Sequence, residues 1–234
     1  MTRTSLAALL LGATTLAAEP PKPAEAAKPA PLVAILYFDV QSNDQKLQVL
    51  KKGLAQMMIS DLSAAEGIRV LERERLEDLL TELKLQQGAM VDKATAAQIG
   101  KLAGARYLVT GSVIEAGKNI LFEARAIRLE TGDILKPEGG KPMRVKASSD
   151  DVYEAEQELS GRLAELLSKA EAATPPAPRK TGTKLKLATA IKYAEALDAK
   201  DKKDPKTAAE KLKAVVKDQP DFVLAALDLD RLVK

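Results

Sequence analysis

Three groups of residues in this 234-residue chain have the types and spacing that chemistry uses. Glu72-Arg73-Glu74-Arg75 alternates charge ahead of an apolar run, a pattern suited to a partner contact or a charge relay. Gly100, Gly104 and Gly111 are the glycines a phosphate cradle would draw on, and Asp198, Asp201 and Asp204 recur every third residue, as a calcium loop might. Each group also has an ordinary reading. A helix amino terminus favours carboxylates near its dipole, and alternating charges solvate an exposed face. The glycines fall at a helix end and inside a strand, without the Gly-x-Gly-x-x-Gly turn that leads a strand into a helix. Close helix-to-strand packing accounts for them better. The aspartates lack the alternating ligands and central glycine of an EF-hand, and a turn between helices uses them instead. Asp150, Asp151, Glu154, Glu156 and Glu158 gather near a helix start and read as capping and a solvated face.

Composition narrows the chemistry further. The chain has no histidine and no cysteine, which removes the usual zinc ligands, Ser-His and Cys-His catalytic pairs, disulfides and a neutral-pH proton switch. A Ser/Lys or carboxylate hydrolase needs a nucleophile or an acidic pair converging in one cleft, and the spacing offers neither. Aromatics make up 3% of residues against 46% hydrophobic, so small apolar side chains serve packing more than ligand recognition. Basic residues are not interleaved with stacking aromatics, which argues against nucleic acid. No cofactor and no metal is expected.

The elements that must position these residues follow from periodicity. Leu32 to Val40, LVAILYFDV, reads as one strand buried on both faces. Leu47, Leu50, Leu54, Met57, Met58 and Leu62 mark a helix that Ser42, Asn43 or Asp44 can cap. A short strand at Ile68 to Leu71 precedes a second helix at Leu76, Leu79, Leu80 and Leu83, and Gly88 ends that segment. Asp92 is placed to cap a third helix, with Ala96, Ile99, Leu102 and Ala103 inward and Gly104 closing it. Arg106 to Ile114 and Asn119 to Leu129 form a hairpin. An edge strand at Ile134-Leu135 and a strand from Met143 to Ala147 follow. Val152, Ala155, Leu159, Leu163, Leu166 and Ala170 then stripe a long helix capped by Ser149 or Asp150. The class is α+β, a mixed sheet packed by amphipathic helices.

Two proline-rich stretches divide the chain into a signal peptide at 1–18, a linker at 19–31, an α+β domain at 32–172, a linker at 173–183 and a helical tail at 184–234. Arg3, the apolar Leu6 to Leu16 and the small residues at Ala17 and Ala18 read as an export signal, too short to span a bilayer permanently. Cleavage after Ala17 or Ala18 is expected. In the tail, Ala196 and Ala208 stand where two helices must approach, Leu212 and Val215 where apolar residues are needed, and Pro220 where the pair ends. This pattern resembles one tetratricopeptide repeat with the first helix of a next. Residues 32–172 carry 19 basic and 22 acidic residues and the tail is net positive, a difference that could dock the tail on its own domain or on anionic headgroups, although a solvated helical surface is the default reading.

The Glu72-Arg73 pair after a short strand, the helix end IGKLAGA with Gly104-Ala105, and the strand YLVTGSV with Gly111 resemble the CsgG family, the curli assembly and transport component of bacterial outer membranes. The likeness covers Leu32 to Ala172 and extends to the TolB amino-terminal domain and to activators of cell-wall synthases. It implies a CsgG-like, anticodon-binding-like fold. It also implies a periplasmic, non-enzymatic module that assembles with itself or with envelope proteins in secretion or outer-membrane assembly. Activation of a cell-wall synthase is the alternative. The connections here are too short for two membrane hairpins of ten-residue strands, and the lipid-bearing cysteine is missing, which leaves at most peripheral membrane association. The residues expected to touch a partner are Glu72, Arg73, Tyr193, Leu197, Phe222 and Leu224, the last four being equally suited to the tail's own core.

Overall fold

The computed structural model describes residues 29–83, 93–172 and 182–234. The signal peptide, most of both proline-rich linkers, Gly88 and Asp92 lie outside the described residues.

The run LVAILYFDV forms two short strands instead of one. β1 (Leu32–Ile35) and β2 (Asp39–Gln41) both pair in parallel with β4 (Tyr107–Ala116). Val33 faces Tyr107 and Asp39 faces Ser112, so six steps along the first segment match five along β4. The extra residue makes a bulge at 36–38, and bulges re-aim side chains. Phe38 consequently turns into the core on one face of the sheet, while Leu36 and Tyr37 join the smaller core on the other. A continuous apolar run carries no mark of such a break.

β3 (Arg69–Val70) pairs in parallel with the other edge of β1. β4 and β5 (Asn119–Arg128) form the antiparallel hairpin expected from their alternation, closed by Gly117 in the left-handed region at φ 63°. β6 (Asp133–Ile134) and β7 (Met143–Ser148) both pair with β5, side by side along one edge. The mixed sheet therefore has seven strands among the described residues.

Gly111 is where β4 needs a missing side chain. A Cβ there would come within 2.5 Å of the Phe38 ring and would also press into the backbone carbonyl of Glu123. Gly100 differs, because the atom nearest its Cβ position is Leu129 Cδ1, the end of a flexible side chain, at 2.6 Å. Gly111→Ala is expected to destabilise by about 1–3 kcal/mol, without rescue by a smaller residue at Phe38. Gly100→Ala should be close to neutral, since helix propensity favours Ala. Urea unfolding of the two variants checks the contrast.

α1 (Leu50–Ser63) and α4 (Val152–Ala170) cover one face of the sheet. Asp44 caps the 3-10 turn Gln45–Val49 that leads into α1, accepting from the Lys46 amide. α2 (Arg73–Glu82) and α3 (Lys93–Ala103) cover the other face, beside β1. Gly104 follows α3 at φ 65°, as a helix-closing residue should. Two expectations fail here. Leu102 is 43% exposed, on the outer side of α3, and α4 starts from Asp151, with no side-chain cap from Ser149 or Asp150.

The tail folds as α5 (Leu187–Asp201), α6 (Pro205–Asp218) and α7 (Val223–Val233). α5 and α6 form a helical hairpin with Ala196 and Ala208 buried between neighbours. Asp204 caps α6 by accepting from the Thr207 amide, with Pro205 behind it. α5 lies against α1 where both are small: a Cβ on Gly53 would stand 3.0 Å from that of Ala194. One hydrophobic cluster runs from the sheet through α1 and α4 into Leu185, Ala190, Tyr193, Leu212 and Phe222 of the tail.

Candidate functional site

The tail is held by an ion cluster centred on Arg73. The first helical residue of α2, Arg73 stands three and seven places before Leu76 and Leu80, on the same helical stripe, and is carried inward with them. It is 0% exposed. Its Nη1 lies 2.8 Å from both Asp201 carboxylate oxygens and 3.4 Å from the Tyr37 hydroxyl, and Nε donates to Gln56 Oε1 at 3.2 Å. Lys52 of α1 approaches from the neighbouring turn, its Nζ 2.8 Å from Asp198 Oδ1 and 2.8 Å from Asp201 Oδ2. The bulged Tyr37 donates to Glu77 at 2.6 Å. At the rim, Lys200 pairs with Glu74 at 2.7 Å.

The charges answer one another across the seam between domain and tail. Burial opposes the Arg73 charge, but Tyr37 and Asp201 outweigh it and hold the guanidinium protonated above its ordinary range. Burial likewise opposes the Lys52 charge, and hydrogen bonds to Asp198 and Asp201 reverse the balance. For Asp198 burial acts upward, while Lys202 and Lys52 bring its carboxyl below the ordinary range. A carboxyl with a depressed folded value stabilises above its unfolded value, and that contribution is lost as pH falls through the folded one. Acid should therefore loosen this seam. The solvated reading of the tail's charges gives way to docking on its own domain, and the most buried pairs run against the net charges: the cations come from the acidic domain and the anions from the basic tail.

Aromatic packing closes the other end. Tyr153 of α4 meets Phe222 edge-on at 5.3 Å, Phe222 meets Tyr193 edge-on at 5.1 Å, and the Tyr193 hydroxyl donates to Asp228 of α7 at 2.5 Å. The Leu187 amide donates to the Ser149 carbonyl at 2.7 Å, tying the start of α5 to that of α4.

These contacts relocate the residues expected to meet a partner. Tyr193, Leu197, Phe222 and Leu224 are buried within the chain, and Arg73 is committed to Asp201; Glu72 alone is exposed, and it precedes α2 without a side-chain cap. Asp198 and Asp201 serve the seam and Asp204 the turn. The solvated reading of the charge run fails at Arg73, and that of the α4 carboxylates fails at Glu156, which is fully buried. Lys52, Gln56, Tyr37 and Glu77 went unnoticed in the sequence. Among the described residues no group of three or more acidic, His or Cys side chains is arranged to hold a metal, and no helix is long and apolar enough to cross a membrane.

Comparison with known proteins finds a family model that matches part of this architecture. Residues 22–125 match the family model of CsgG, the curli production assembly/transport component. A curated relative, a putative adenylate cyclase 3 of Rhizobium meliloti (strain 1021), is 29% identical over 148 residues, 62% of this chain. The match spans only 22% of that protein's length. Among solved structures, the LpoB C-terminal domain of Salmonella enterica is similar at 11% identity and a TM-score of 0.39, over 53% of this chain and 87% of that one. TolB of Acinetobacter baumannii is similar at 15% identity and a TM-score of 0.41, over 60% and 29%.

Proposed function

We propose, from the match of residues 22–125 to the CsgG family model, a non-enzymatic protein of the bacterial envelope, exported to the periplasm, whose work is binding. It assembles with copies of itself or bridges envelope partners in secretion or outer-membrane assembly. The observation that carries this reading is the ion cluster around Arg73, because it fixes a helical tail rigidly on the family domain and so gives an adaptor two surfaces in constant relation. The same cluster speaks against catalysis. Asp198 and Asp201 are occupied by Lys52, Lys202 and Arg73, which leaves those carboxylates nothing to offer a metal or a substrate.

Among the described residues, the outer side of α7 offers an apolar surface to a partner. Val223 and Leu227 stand one helical turn apart, 61% and 49% exposed. The test is the solution mass of the chain from Glu19 to Lys234 by light scattering, followed by cross-linking in envelope extract, each repeated with Val223→Asp/Leu227→Asp. A discrete oligomer, or a defined captured envelope protein, that disappears in the variant supports the reading. A captured cell-wall synthase would select the activator role. A monomer that captures the same proteins as its variant overturns it, and formation of cyclic AMP by the purified chain would overturn the non-enzymatic part.

A further inference from the structure

Glu156 faces inward from α4, in phase with Val152, Leu159 and Leu163, and is completely buried where α4 packs on α1. Ser160 donates to its Oε1 at 2.6 Å, while Oε2 is buried and receives no hydrogen bond. The titratable group facing it from α1 is Asp61, within hydrogen-bonding reach. β5 and β7 contribute Phe122, Val145 and Ala147 to the same core, and α5 contributes Ala190 and Tyr193, whose hydroxyl is held by Asp228.

A fully buried carboxyl beside a second one cannot ionise cheaply while its neighbour is charged. A proton on Glu156 Oε2, donated to Asp61, gives the buried oxygen its hydrogen bond and leaves one negative charge in place of two. We propose that Asp61 and Glu156 form a proton-held clasp between α1 and α4, closed while one proton is shared and loosened when rising pH removes it. α1 and α4 are also the helices that seat the tail, through Lys52 on one and through Ser149 and Tyr153 beside the other. Loosening their contact therefore weakens the seat of the tail.

The sign follows from proton linkage. Burial, then the Asp61 charge, raise the Glu156 carboxyl well above its ordinary range. The folded chain then keeps a proton that the unfolded chain gives up. From the ordinary carboxylate range up to the folded value, stability falls as pH rises. Asp198 works in the opposite sense, losing its contribution on acidification, so the two devices bound a pH window in which the tail is held most firmly.

Thermal unfolding of the full chain against Glu156→Gln, from pH 5 to pH 9, tests the clasp. The glutamine keeps the shape and cannot ionise. The parent's Tm is expected to fall away from that of the variant by roughly 3–5 °C for each pH unit inside the window, with Asp61→Asn giving a smaller divergence of the same sign, because the burial of Glu156 remains. Should Glu156→Gln fail to fold, Asp61→Asn alone decides. A separation between parent and variant that stays constant across pH overturns the proposal.

Discussion

Arg73→Met is expected to lower the unfolding free energy by about 3–5 kcal/mol, the range for removing one partner from a buried, hydrogen-bonded ion pair. For a chain of this size that is a fall in Tm of roughly 6–20 °C. The loss comes less from the attraction forgone than from what is left behind. Asp201 keeps Lys52, but the oxygens that Arg73 served, with the Tyr37 hydroxyl and the Gln56 amide, remain in the seam without their donor. Arg73→Lys should recover only part of the loss, because an ammonium cannot present the fork that reaches Asp201, Tyr37 and Gln56 together. Asp201→Asn should share much of the same loss, so the double variant Arg73→Met/Asp201→Asn is expected to fall well short of the sum. Additive effects in urea unfolding would show that the pair does not act as a unit.

Phe222→Ala is the second large effect, at about 3–5 kcal/mol for an aromatic removed from a packed core. In the sequence Phe222 suited either an anchor for a partner or the tail's own core. Its position between the Tyr153 and Tyr193 rings selects the core. Truncation opens a cavity between α4 and the tail and removes two edge-to-face contacts. Stability should fall along with any partner binding. A variant as stable as the parent would mean that the tail does not depend on this packing.

Periodicity made most of the elements legible: the α1 and α2 stripes, the hairpin of β4 and β5, and the helical pair with its Asp204-Pro205 turn all stand where apolar spacing and turn residues put them. The break at Leu36 to Phe38 was hidden because a bulge exchanges apolar for apolar residues, and only the register against β4 reveals it. The site was harder to see for a related reason. Arg73 and Glu156 were read by type, as surface charges, Asp201 as a turn residue, and Asp228 was passed over, although each falls in phase with buried apolar neighbours: Leu76 and Leu80, Leu159 and Leu163, Leu197, and Leu224 and Ala225. A charged residue on an apolar stripe is carried inward by the helix that bears it, and must find a partner there or stay neutral. That signal was present in the sequence. The partners were not, since Arg73 and Asp201 lie 128 residues apart and the fold alone brings them together.

The claim on which the rest depends is that the tail and the α+β domain form one cooperative unit across the Arg73 seam. Native-state hydrogen exchange measures this directly, by comparing the opening free energy of amides in α5 with that of amides in β4 and β5. The account expects the slowest amides of α5 to exchange with the same free energy as those of the hairpin, within about 1 kcal/mol, and Arg73→Met to lower both together. Exchange of α5, α6 and α7 as a group at much lower free energy, with β4 and β5 still protected and unaffected by Arg73→Met, would contradict it.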